Sequence, residues 1–213
     1  MWCELNFNIF SKDMLYYDSL YPYNIILDVK DVILRTKYKK INIQEIGSGN
    51  PGSSNVLRAL GRNYAIVVLL GDLFKGVMPF LLFGIETESI IYGVMAVVGH
   101  CFPIFYKFKG GKGVATYLGT VVGYIIFLAP DLGIVFWQFF FILGFVVLYF
   151  GIFYIFRISA ISSLITCTVG ALYIIFQEST VLITASQILI VVLIFYQHRE
   201  NLSRLSKGDE NKF

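Results

Sequence analysis

Polar and apolar positions fall in long blocks along this chain. From residue 64 onward there are six apolar stretches, near 64–84, 89–106, 113–129, 132–156, 158–176 and 180–197, parted by short polar breaks. A helix needs roughly 20 apolar residues to cross about 30 Å of hydrocarbon. Each block therefore predicts a spanning helix, the third short and the fourth long enough to tilt. The alternating pattern of an outer-membrane barrel is absent, and helices satisfy their backbone internally. The predicted fold class is all-α integral membrane, a multi-span helical bundle with six clear spans.

The breaks between the blocks sort by charge. Numbered alternately, one set holds Arg58, Arg62, Lys107, Lys109, Lys112, Arg157, Arg199, Arg204, Lys207 and Lys212. The other set, around Glu86–Glu88, Asp131 and Glu178, holds no Lys or Arg. The first set should face the cytoplasm. That orientation predicts a multi-pass membrane protein with its C-terminus on the cytoplasmic side. Composition agrees, since 57% of the 213 residues are hydrophobic and mean hydropathy is +0.71, which excludes an ordinary soluble domain. The net charge of +3 matters less than its placement, and nothing in it calls for a nucleic-acid partner.

Residues 1–40 stand apart from this pattern. They carry eleven charged residues, and their most apolar run, Leu20–Leu34, is broken by Pro22, Asp28, Lys30 and Asp31. That is neither a span nor a signal peptide. The expected organisation is a polar N-terminal arm over 1–40 and a membrane domain over 41–213. Cys3, Cys101 and Cys167 are far apart without CxxC spacing, which argues against a disulfide framework and a zinc site.

Four polar segments on the Lys/Arg side carry the candidate chemistry. Gly110-Gly111-Lys112-Gly113 precedes an apolar helix, where glycines allow backbone N–H groups to turn toward one anion and Lys112 adds a full charge. It is no Walker A loop, because Gly113 stands where Ser or Thr is required. Gly47, Gly49 and Gly52 fit GxGxxG by letter, but no strand precedes them and Pro51 interrupts them, so a dinucleotide site is rejected. What that segment offers is hydroxyls (Ser48, Ser53, Ser54), amides (Asn50, Asn55) and Arg58, a set suited to a polyol phosphate. Ile46–Arg58 is too rich in Gly, Asn, Ser and Pro for a helix interior.

The third segment, Arg157–Leu164, contributes Ser162 and Ser163. The fourth, from Gln197, contributes His198 and Asn201, three residues apart. A histidine at that interface is a candidate general base. Asp72 and Lys75 lie one turn apart inside the first span, where a mutual salt bridge is the plain reading and an ion pathway the sharper one. His100 is expected to position a loop by a hydrogen bond. Gly119 and Gly123 form a GxxxG suited to close helix packing, and the Phe-rich fourth span reads as lipid-facing or packing surface. The acyltransferase pattern of His, four residues, then Asp is absent, as are GxSxG and HExxH.

These segments closely resemble the bacterial acyl-phosphate-dependent glycerol-3-phosphate acyltransferases, the PlsY family. The likeness lies in GSGNPGSSNVLR from Gly47, GHCFPIFYKFKGGKGVAT from Gly99 and HRENLSRLSKGDE from His198, with DLFKG at Asp72 and RISAISS at Arg157. It runs from about Lys37 to Glu210. The resemblance implies transfer of a fatty acyl group from acyl phosphate to the 1-hydroxyl of sn-glycerol 3-phosphate, giving lysophosphatidic acid and phosphate. It implies catalytic roles for Ser48, Arg58, Lys112, Ser163, His198 and Asn201. Gly49, Asn50, Asn55, Gly110, Gly111 and Gly113 are then expected at the substrate phosphates.

Neither cofactor nor metal is implied. Expected partners are the two substrates, the lipid bilayer and the enzyme that produces the acyl phosphate. Two departures stand out. The family has seven spans, and the first is missing or degraded here; Ala160 stands where the resemblance suggests serine. A small ion or solute carrier, motivated by Asp72 and Lys75, and a non-catalytic scaffold are the competing classes.

Overall fold

A computed structural model describes residues 46–47, 49–84, 87–104, 108–127, 135–178 and 180–210. The polar arm over 1–40, Cys3 and Ser48 lie outside the described residues. Eight helices occur among the described residues: α1 Ser53–Leu60, α2 Arg62–Phe83, α3 Thr87–Cys101, α4 Val114–Phe127, α5 Val135–Phe156, α6 Ser159–Gln177, α7 Val181–Gln197 and α8 Arg199–Lys207.

Each predicted apolar block corresponds to one helix. Three of them, α2, α5 and α6, are long and apolar enough to cross a membrane by length and composition. The pair α7 and α8, bent by 55° at His198, passes the same test as one broken unit. Two helices are shorter than the blocks suggested. The second block ends early because Pro103 follows the last turn of α3, and proline disfavours helical backbone before it. α4 has 14 residues, roughly 21 Å at about 1.5 Å per residue.

α4 is the centre of the bundle. Thr116, Tyr117, Gly119, Thr120, Val121, Gly123, Tyr124 and Ile125 are all buried, which puts apolar contacts on every side of it. It packs most extensively on α2. A Cβ on Gly76 would run into the backbone of Thr116, Gly119 and Thr120, and one on Gly119 into the backbone of Leu73. The two helices therefore touch backbone to backbone, as the predicted GxxxG seam requires. A Cβ on Gly123 would meet the Phe80 ring. Around this axis Phe80, Val97, Tyr117, Tyr124, Cys167, Ile174, Ile183, Ile190 and Ile194 form one buried cluster. Tyr117 also donates its hydroxyl to Gln187 Oε1 at 2.6 Å, tying α4 to α7.

α5 is peripheral. Phe136, Trp137, Phe139, Phe140 and Phe150 point outward, each at least 45% exposed. In water such a face would be untenable, so it reads as surface for acyl chains, as its sequence suggested. Cys101 and Cys167 are buried. No group of three His, Cys, Asp or Glu able to hold a metal occurs among the described residues.

One local expectation is corrected. The segment Ile46–Arg58 does not stay irregular, because Ser53–Leu60 forms α1. Its helix starts only once Pro51 and Gly52 are passed, and it ends at Gly61, whose φ of 88° breaks α1 from α2. The tail after Gln197 is polar, as expected, and helical, since Arg199–Lys207 forms α8.

A cationic cluster at one end of the bundle

Arg58, Lys112, His198 and Asn201 gather where α1, the α3–α4 connection and the α7–α8 bend meet. Lys112 Nζ donates to Asn201 Oδ1, joining residues 89 positions apart in sequence. Asn201 is held in turn, as its Nδ2 donates to Glu210 Oε1 at 2.7 Å. The other oxygen of Glu210 accepts from Arg204 Nε at 2.8 Å. This Lys112–Asn201–Glu210–Arg204 network brings Lys112 and the tail to one end of the bundle, as the charge sorting required.

Glu210 was not singled out by its sequence, although a signal was present. Lys207-Gly208 is a helix-stop signature. Gly208 takes φ 77°, and Gly208 and Asp209 donate their N–H groups back to Leu205 and Arg204 carbonyls. The chain reverses, which returns Glu210 to the α8 face that bears Asn201 and Arg204.

Lys112 is only partly exposed and surrounded by charge. Burial pushes its pKa from 10.5 down to about 8. The charges of Arg204 and Arg58 push the same way, against Glu210 and Glu200. Arg58, exposed on α1, is thus close enough to act on Lys112. His198 is 2% exposed. Its Nδ1 lies 2.8 Å from the Ile194 carbonyl, and a carbonyl can only accept, so Nδ1 carries the proton and Nε2 the lone pair. Burial, reinforced by the Lys112 charge, lowers its pKa to about 4 against the opposing effect of the Ile194 bond and Glu210. His198 is neutral near pH 7.

The glycine-rich loop differs from expectation in one respect. Gly110 and Gly111 do not turn their N–H groups toward an anion: they donate them to Cys101 and His100 carbonyls at 3.2 and 3.1 Å. These are carbonyls at the end of α3, which lack helical partners of their own. Both glycines are instead required by crowding. A Cβ at Gly110 would overlap the His100 and Cys101 carbonyls, and one at Gly111 the His100 ring. Gly113 takes φ 77° immediately before α4.

The first loop is likewise turned on itself. Asn55 is buried and donates to the Ile46 carbonyl at 2.8 Å. Asn50 Oδ1 accepts from the Gly52 N–H at 2.9 Å, and the Gly49 N–H reaches Ile46 O at 3.0 Å. Ser163, in the first turns of α6, hydrogen-bonds Tyr149 of α5. Ser162 donates to the Ile158 carbonyl at 3.3 Å. Asp72 and Lys75 form the expected salt bridge at 3.2 Å.

Comparison with known proteins decides the family. Residues 30–208 match the model of the glycerol-3-phosphate acyltransferases. The chain belongs to that family. The glycerol-3-phosphate acyltransferase of Aquifex aeolicus is 38% identical over 183 residues, which cover 83% of this chain and 88% of the relative. That of Geobacter sulfurreducens is 34% identical over 193 residues, covering 89% and 93%. A crystal structure of PlsY, an integral membrane glycerol 3-phosphate acyltransferase in its glycerol 3-phosphate form, superposes with a TM-score of 0.74 at 31% identity. The lysophosphatidic acid form of PlsY gives 0.72 at 32%. Each covers 93% of this chain and 94% of its own. The family fold is an all-helical integral membrane bundle, and this chain shares it.

Proposed function

We propose that this protein transfers a fatty acyl group from acyl phosphate to the 1-hydroxyl of sn-glycerol 3-phosphate, releasing lysophosphatidic acid and inorganic phosphate. The observation that carries this reading is the Lys112–Asn201 bond, which unites the glycine-rich loop with the polar tail beside His198, Arg204 and Arg58. Two phosphorylated substrates repel each other, so their encounter needs fixed cations. Lys112 and Arg58 supply them, with Arg58 able to fork two phosphate oxygens.

The chemistry needs placement more than a strong nucleophile. An acyl phosphate is a mixed anhydride whose leaving group is already stable. The acceptor oxygen forms a bond to the acyl carbon as the carbon–oxygen bond to phosphate breaks. The hydroxyl proton ends on the departing phosphate. His198 accepts a hydrogen bond from that hydroxyl at Nε2 and orients it. Its low basicity, from burial, makes passing the proton to the phosphate a better assignment than holding it.

Asn201 aims Lys112, and Ser48 and Ser163 hydrogen-bond the substrates as the family likeness suggests. Gly49, Asn50 and Asn55 shape the segment that carries Ser48 and leads into Arg58 on α1, whereas Gly110, Gly111 and Gly113 shape the loop that bears Lys112. In this reading the chain crosses the bacterial inner membrane six times, α3 and α4 included, with this cluster and the C-terminus on the cytoplasmic side. The acyl chain lies between helices, and the enzyme that makes acyl phosphate docks at the same face.

Purified protein, given acyl phosphate and labelled glycerol 3-phosphate, should release lysophosphatidate and phosphate in equal amounts. Absence of both products refutes acyl transfer. Equal use of acyl coenzyme A refutes the assigned donor.

A further inference from the structure

Behind the glycine-rich loop lies a second cluster to which the acyl-transfer reading gives no task. Asp72 of α2 is 4% exposed, and its Oδ1 touches two partners. Lys75 Nζ lies at 3.2 Å, and His100 Nδ1, from the last turn of α3, at 3.4 Å. The His100 side chain is 5% exposed. An exposed pair three residues apart on one helix would be worth little. Here the carboxylate is enclosed and fixes an imidazole from another helix, an arrangement that requires good geometry to persist.

The opposite edge of that imidazole meets the loop. His100 Nε2 occupies the place where a Cβ on Gly111 would stand. The backbone carbonyl of His100 accepts the Gly111 N–H at 3.1 Å. Ring and carbonyl of one residue thus grip the same glycine, directly before Lys112. A continuous line of contacts runs Asp72, His100, Gly111, Lys112, Asn201.

We propose that His100 is a positioning residue, a wedge clamped by Asp72 that sets the Gly110–Lys112 turn so that the Lys112 ammonium reaches Asn201 and the substrate phosphate. Lysine has a long flexible stem, so the direction in which its backbone launches it decides where the charge spends its time. A cation already held near its working position binds phosphate without first being ordered, and the wedge supplies that order. Lys75 balances the carboxylate, so the clamp does not draw on the cations of the site. The kinetic part of the test rests on the acyl-transfer reading; the labelling part does not.

The test compares H100A, H100N and G111A, singly and combined, in the full chain in detergent. In H100A the KM for glycerol 3-phosphate should rise about tenfold with kcat within about threefold, because binding geometry is lost and not the chemistry. The pH dependence of Lys112 amine labelling, read by mass spectrometry, should move from about 8 toward the ordinary lysine value as the loop loosens. G111A should cost the parent about tenfold in kcat/KM but less than about twofold in H100A, where the vacated ring space admits the methyl group. If H100A does not accumulate, H100N serves in its place, because its amide nitrogen can stand beside Asp72 while leaving Gly111 unwedged. Unchanged KM and Lys112 titration overturn the proposal, as does G111A harming both backgrounds equally. A parent that makes no lysophosphatidate defeats acyl transfer alone; the Lys112 titration in G111A and its double variant still judges the wedge.

Discussion

Replacing Lys112 with Met separates what this cation does for activity from what it costs the free protein. The lowering of its pKa from 10.5 to about 8 corresponds to about 3 kcal/mol against the charged form, at about 1.4 kcal/mol per unit. The folded state then binds fewer protons at this lysine than the unfolded state between pH 8 and 10.5. Stability linked to Lys112 therefore rises with pH across that window. Activity should run the other way. Lys112 is charged in about nine-tenths of molecules at pH 7 and about one-tenth at pH 9, so kcat/KM should fall about tenfold between them. The kcat profile should be flatter, because bound phosphates restore the lysine charge.

K112M should abolish turnover yet raise the melting temperature in anion-free detergent by a few degrees. The desolvation penalty of about 3 kcal/mol is relieved, and an Asn201 bond worth about 1.5 kcal/mol is lost. Added phosphate should stabilise the parent and leave K112M unmoved. K112R, permanently charged, should show a lower but flat kcat/KM from pH 7 to 9. A parent with flat kcat/KM over that range, or a K112M that melts below it without anions, would refute the reasoning.

Three further outcomes follow from the geometry. E210Q weakens the bond to Arg204, which is itself about a third exposed; it should cost about 1–2 kcal/mol, read by thermal melting, and raise the KM for glycerol 3-phosphate. G76V drives side-chain atoms into the α4 backbone and should lower stability by at least about 3 kcal/mol, visible as loss of the folded peak in size exclusion; a normally folded variant contradicts the seam. The His198 pKa is depressed to about 4, so below its unfolded value near 6.5 the unfolded state binds the extra proton and stability falls as pH drops from 6.5 to 4. H198Q should flatten that slope in melts across pH 4–7, and a slope identical to the parent's would contradict the burial of His198.

The helices were the most legible part of the sequence, because lipid-length apolar blocks leave little freedom in where a helix can lie. Block edges agree within a few residues from α2 to α7, except where Pro103 shortens α3. The meeting of Lys112 with His198 and Asn201 was also legible, since charge sorting alone put the glycine–lysine loop and the tail on one side. Less visible was what each polar group does in the folded chain. Gly110 and Gly111 look by composition like anion binders, yet their N–H groups cap α3, because spacing cannot say which carbonyls come near. Asn50 and Asn55 close their own loop for the same reason. Glu210 was overlooked because it lies past the helix and reaches Asn201 only after the Gly208 reversal. The joining of Asp72 to His100 was hidden too, as it spans two helices 28 positions apart.

The direct backbone contact between α2 and α4 bears on how a lipid-tailed product departs. Gly76 and Gly119 leave no rotamers there to swing aside, so parting these helices means breaking the whole seam at once. Egress of a long hydrocarbon tail has to be sought elsewhere along the periphery, where α5 meets its neighbours through side chains that can turn. The centre of this bundle is an anvil, and its moving parts belong on the rim.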